Sequence, residues 1–133
     1  MKNIPIYRAK KIDSDGYVIG TLRTYLSSDF KKHLLLIDTI EVEKDDTKSY
    51  FIHPSTLAIH LPQLGLLSKD NEKWFVSISQ NGKGSDIFEV NDKHKTKLYG
   101  YLTDRGVYLT NSDGVIAPFV EYKQYLSVVG VKE

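Results

Sequence analysis

The chain has 133 residues, of which 41% are hydrophobic, 26% charged and 11% aromatic, an ordinary globular profile that excludes a wholly disordered protein. Its 18 Lys plus Arg against 17 Asp plus Glu leave a net charge of +1, so no global field draws in phosphate backbones or acidic membranes. With no cysteine, a disulfide framework, a thiol nucleophile and a thiolate metal site are all excluded, as suits a reducing cytoplasm.

Residues 1–8 lack the apolar core of a signal peptide. The longest near-apolar run covers residues 34–37, far short of the ~20 residues a membrane helix needs. The chain is therefore expected to be soluble and cytoplasmic, with no membrane partner.

From there the elements read as short strands punctuated by turns. Asp13-Ser14-Asp15-Gly16 separates residues 4–12 from 17–26, where Val18, Gly20 and Leu22 face away from Tyr17, Ile19 and Thr21. Ile40 and Val42 alternate with Glu41 and Glu43, so the acidic group Glu41, Glu43, Asp45 and Asp46 reads as a solvated strand face. Residues 55–61 could begin a short helix from a Ser55 cap, but Thr56, Ile59 and the stop at Pro62 suit an extended segment as well, which is the reading taken. Asp104-Arg105-Gly106 separates 96–103 from 107–110, and Asn111-Ser112-Asp113-Gly114 separates that run from 115–120. Each of these breaks ends in Gly, which supplies the positive φ of tight hairpins. Within 98–103, Tyr99, Tyr101 and Thr103 share one face, and Leu98, Gly100 and Leu102 the other. Only 118–126, with Phe119, Tyr122, Tyr125 and Leu126, suits a helical turn or two.

The fold class that follows is mainly β, or β-rich α+β. An N-terminal antiparallel β unit over 1–68 precedes a C-terminal unit of about five short strands over 69–133, the size of a small barrel. The boundary falls between 68 and 85, where Ser68-Lys69-Asp70-Asn71-Glu72-Lys73 and Ser79-Gln80-Asn81-Gly82-Lys83-Gly84-Ser85 read as loops.

Chemistry-bearing motifs are scarce. Of the histidines His33, His53, His60 and His94, His53 and His60 are seven residues apart, on opposite faces of a continuous strand. They read as partly exposed residues of loops and strand ends, and neither a metal nor another cofactor is expected. Asp13-Ser14-Asp15-Gly16 has its glycine too early for an EF-hand loop. Gly82-Lys83-Gly84-Ser85 has the ingredients of a phosphate loop in the wrong order, with strand-like residues 86–90 following, so it reads as a turn. No Gly-x-Ser-x-Gly elbow occurs, no catalytic residue is nominated, and a non-enzymatic protein is expected.

The segment 93–101, Lys93-His94-Lys95-Thr96-Lys97-Leu98-Tyr99-Gly100-Tyr101, sets basic residues beside aromatics. Lys95, Lys97, Tyr99 and Tyr101 are thus the candidate nucleic-acid-binding residues, offering phosphate contacts and base stacking. The stretch partly matches an RNA-recognition strand but lacks its second glycine and final aromatic. Against it stand a near-neutral chain and the simpler reading of the tyrosines as sheet residues, so nucleic acid is the alternative partner and not the favoured one.

Ile4-Pro5-Ile6-Tyr7-Arg8-Ala9-Lys10, then Asp13-Ser14-Asp15-Gly16-Tyr17-Val18-Ile19-Gly20-Thr21-Leu22, resembles the opening of the YopX family of bacteriophage and prophage proteins. His53-Pro54-Ser55-Thr56-Leu57 is similar to that family's Asp-Pro-Glu-Thr-Val segment, with His53 replacing Asp. Ser85-Asp86-Ile87 is similar to its Gly-Asp-Ile, with Ser85 replacing Gly, and Leu126-Ser127-Val128-Val129-Gly130-Val131 to its closing Val-Ile-Gly-Asn. In the middle, Asn81-Gly82-Lys83 competes with Gly65-Leu66 and Lys69-Asp70-Asn71 for the family register. The resemblance implies an SH3-like C-terminal barrel and synthesis in a bacterial host cell, and it carries no catalytic residue. With nine tyrosines and one tryptophan, side chains enriched at interfaces, the expectation is a protein-interaction module. Its partner would be a host or phage protein, with homo-oligomerisation through the N-terminal unit as a further expectation.

Overall fold

A computed structural model describes residues 4–26, 33–41 and 46–133. Among the described residues, eleven strands form one sheet, so the mainly β class holds. The first four, β1 (Ile6–Lys10), β2 (Tyr17–Leu26), β3 (His33–Glu41) and β4 (Asp46–Phe51), make an antiparallel meander. The meander curls back on itself, because the Ile12 amide donates to Phe51 O and the His53 amide to Lys10 O. A 3-10 turn over Pro54–Thr56 leads into β5 (Ala58–His60), which pairs with the other edge of β1. The extended reading of 55–61 is therefore right for β5 and wrong at its start. There Pro54 pre-sets a helical φ, and the Thr56 hydroxyl donates to His53 O, closing the turn.

After a second 3-10 turn (Pro62–Leu64), β6 (Val76–Ser77) joins β5 on one side and β8 in parallel on the other. β7 (Asp86–Val90), β8 (Lys97–Thr103), β9 (Gly106–Thr110) and β10 (Ile116–Pro118) follow as an antiparallel meander. Helix α1 (Phe119–Tyr122) and a 3-10 turn (Lys123–Tyr125) turn the chain into β11 (Leu126–Val131), which pairs with β7.

The expected barrel is not closed. β10 and β11 are the two ends of the order β10-β9-β8-β7-β11 and do not pair with one another. The reason lies in Pro118. It ends β10 after three residues, has no N–H for a further ladder bond, and stands where α1 starts.

Two apolar clusters fill the interior. Ala9, Val18, Ile37, Ile52 and Leu57 pack under the N-terminal meander. Ile59, Leu66, Trp74, Val76, Phe88, Val90, Leu98, Leu109, Phe119 and Leu126 pack within the C-terminal strands. Tyr7 on β1 packs against both. Alternation accounts for this, since Val18 and Leu22 face the first cluster and Leu98 and Leu102 the second. Trp74, Phe88 and Phe119 meet edge to face, with ring centroids 5.4–5.8 Å apart, the arrangement the aromatic quadrupole favours.

The two clusters are also tied by charge. Arg8 on β1 reaches Asp86 at the start of β7, with Nη1 2.7 Å from Oδ1, while its Nη2 donates to Gly84 O at 2.8 Å. Its guanidinium lies 4.7 Å from the Phe75 ring centroid, and Asp86 Oδ2 accepts the Phe75 amide.

Candidate functional site

The segment 93–101 does not assemble as a single surface. Asp92 caps its turn, accepting the amides of His94 and Lys95. The Lys95 ammonium lies 3.8 Å from Glu89 Oε1, so part of its charge is met within the protein. Lys97 and Tyr99 line an open groove of about 490 Å³ with Ile87, Asn111, Val131 and Lys132. Lys95 and Tyr101 do not line it. The Tyr99 ring is already occupied, with the Lys132 ammonium 4.8 Å from its centroid and Gly82 so close that a Cβ there would fall 2.1 Å from Tyr99 Cδ2. Tyr101 is 7% exposed and packs against Tyr108, with ring centroids 6.4 Å apart. Lys97 and Tyr99 thus remain together as an exposed charge beside a half-covered ring.

The histidines separate as well, with the His33 side chain outside the described ones. His53 and His94 are exposed. His60, expected at a partly exposed strand end, is 2% exposed instead. It sits on β5 between β1 and β6, with Nδ1 3.3 Å from Trp74 O. Burial pushes its pKa below the ordinary histidine value, more than the Trp74 and Leu66 carbonyls push it up. No group of three or more His, Asp or Glu side chains is placed to hold a metal among the described residues, and no helix is long and apolar enough to cross a membrane. The acidic group Glu41, Glu43, Asp45 and Asp46 lies outside the described side chains.

A different feature emerges at the sheet's edges. Among the described residues, the strands β4, β10 and β11 have a neighbour on one side only. β4 carries Lys48, and its end is held by the Ile12 amide. β10 is three residues long and ends in Pro118. Charge, proline, shortness and β-bulges are devices by which proteins protect such edges. β11 has only a bulge. Its six residues, Leu-Ser-Val-Val-Gly-Val, include no charge and no proline. Its irregularity is a register shift between Val128 and Gly130, a bulge that adds twist. Alternate residues of an antiparallel strand direct N–H and C=O away from the paired side, so the outer edge of β11 offers a row of backbone groups.

The surface beside it is apolar. Val128 and Val129 are 43% and 50% exposed, and Val120 on α1 is 80% exposed. Val120, Lys123, Leu126 and Val128 form one wall of an open groove of about 640 Å³, the turn at 68–72 forms the other, and Trp74 lies at its base. The Ser68 hydroxyl holds that turn by accepting the amides of Asp70 and Glu72. The signal was present in the sequence as an uncharged β-branched run, but that β11 would lie at an edge depends on the pairing order, which no local pattern encodes.

No family model matches this chain, and neither does any curated protein or solved structure.

Proposed function

We propose that the chain is a non-enzymatic protein-interaction module that engages its partner along the outer edge of β11 and the adjoining groove. The observation that carries this reading is the edge itself: six residues without charge or proline, flanked by the exposed Val120, Val128 and Val129. An edge of this kind recognises an extended segment through main-chain hydrogen bonds, while neighbouring apolar pockets take alternate side chains. The segments similar to the YopX family support a phage or prophage origin, and with it a host or phage protein as partner.

The test is capture from bacterial lysate with the full chain and with Val128→Lys, followed by mass spectrometry. A lysine on the edge repels strand addition without touching the core. A partner held by the parent chain and lost by the variant supports the reading. The same set of proteins held by both refutes it.

A further inference from the structure

Between β5 and β6 the chain makes a hairpin over residues 66–74. Its arms are joined by the Trp74 amide on Leu66 O and the Ser68 amide on Glu72 O, both at 2.9 Å, and by the bridge between Leu67 and Lys73. At its base stands His60, 2% exposed, with Nδ1 3.3 Å from Trp74 O. We infer that this hairpin is an acid-released latch: when the buried His60 ring takes up a second proton, the backbone of 67–73 comes away while the eleven strands stay paired.

The chemistry of the ring gives the direction. A carbonyl can only accept, so the neutral imidazole that bonds Trp74 O carries its one proton on Nδ1. A second proton goes to Nε2 and sets a full charge beside Phe75, whose ring centroid lies 6.1 Å away, and opposite Ile6 on β1. No charge on the surrounding elements meets it. Lys73 on the hairpin opposes the imidazolium. Arg8 on β1 is bound to Asp86 of β7, and β6 brings only Val76 and Ser77. Lys69, Asp70 and Glu72 stand in the exposed turn. Among the described residues no carboxylate forms an ion pair with His60. A conformation that lets water reach the ring is therefore favoured as protons become available.

The hairpin is the element that can yield. Leu66 and Trp74 keep their side chains in the apolar cluster, but residues 67–73 between them are half-buried or exposed. A two-stranded hairpin has little stability of its own, so it frays inward from its turn once its base is loosened. The turn at 68–72 is a wall of the groove beside β11, and release takes that wall away. The inference holds whatever the groove binds, so its failure leaves the interaction module untouched.

Native-state hydrogen exchange of the full chain, read residue by residue between about pH 7 and pH 5 and corrected for intrinsic rates, tests this. The Ser68 and Trp74 amides are expected to open at lower free energy than the Gly100 amide, which is buried on Ser85 Oγ, and with little dependence on urea, the mark of a local event. Their opening constant rises about fivefold or more across that range, one proton allowing at most about tenfold per pH unit. In His60→Gln, which keeps a donor but does not titrate, the rise is gone. Lys73→Gln, an exposed change, removes the opposing charge and makes the rise smaller, and it decides alone should His60→Gln fail to fold. Hairpin amides that open only together with Gly100 and at its urea slope overturn the inference. So does an opening constant that does not change with pH, or a rise that His60→Gln retains.

Discussion

Arg8 and Asp86 meet at 2.7 Å, with 11% and 5% of their side chains exposed, and they join the first strand of the fold to β7, which lies between β8 and β11 in its C-terminal part. The pair is enclosed by Phe75 and Tyr17, whose ring centroids lie 4.7 and 5.7 Å from the guanidinium carbon. Its satisfaction is incomplete, since Arg8 Nε and the neighbouring Tyr17 hydroxyl are buried without a hydrogen-bond partner among the described residues.

A buried pair of this kind is costly to break and cheap to remove whole. Arg8→Met strands the Asp86 carboxylate and is expected to cost about 3–5 kcal/mol. Arg8→Met combined with Asp86→Asn removes both charges and keeps an acceptor for the Phe75 amide, so it recovers most of that loss. Urea unfolding of the parent chain, both single variants and the double variant measures the coupling. Additive losses would show that the pair is not a unit.

His60 makes stability depend on pH. Its folded pKa lies below the ordinary value of 6.5 because burial disfavours the imidazolium. Below pH 6.5 the unfolded chain therefore binds a proton that the folded chain refuses, and the slope of unfolding free energy with pH is positive. The contribution is complete above 6.5 and is lost as pH falls toward the depressed folded value. Denaturant midpoints at about pH 7.5 and about pH 5.5 should differ in that sense, and His60→Gln should narrow the difference. Asp38, held below the usual carboxylate range by its hydrogen bond from Arg23 and then that from Ser49, acts in a separate window below pH 3.8.

Gly84 and Gly106 both take positive φ, at 84° and 117°, but for different reasons. A Cβ on Gly106 meets open space, whereas one on Gly84 would fall 1.9 Å from Thr56 O. Gly106→Ala should cost only backbone strain, about 1–2 kcal/mol. Gly84→Ala must also push apart the turn before β5 and the entry to β7, so its loss should be clearly larger. Thermal unfolding of the two variants ranks them, and equal losses would mean that the close approach is relieved without cost.

Much of the architecture could be read locally. The turns ending in Gly16, Gly106 and Gly114, the alternation of 98–103 and the helical turns after Pro118 all follow from periods of two and from residues that set φ. What could not be read is what distant strands do to one another. Tyr101 looks like a platform for a base, but Tyr108, brought opposite it by the β8–β9 register, removes it from solvent. Tyr99 looks the same and is covered by Gly82 and Lys132. His60 looks peripheral until β6 closes over it. The bond between Arg8 and Asp86 joins residues whose sequence surroundings share no pattern. The same holds for the site, since the composition of β11 was visible but its open side was not.

Trp74 offers a direct view of the groove beside β11. It is the chain's one tryptophan, lies at the base of that groove and is held edge to face by Phe88 and Phe119. Its emission should be blue-shifted and weakly quenched by acrylamide. Phe88 is fully buried, and Phe88→Ala is expected to cost about 3–5 kcal/mol. The variant also frees one face of the indole, so quenching should rise even under conditions where the chain remains folded. A partner segment seated in the groove should act in the opposite sense and lower quenching. If the captured partner leaves quenching unchanged, nothing settles over Trp74, and the groove is not part of the contact.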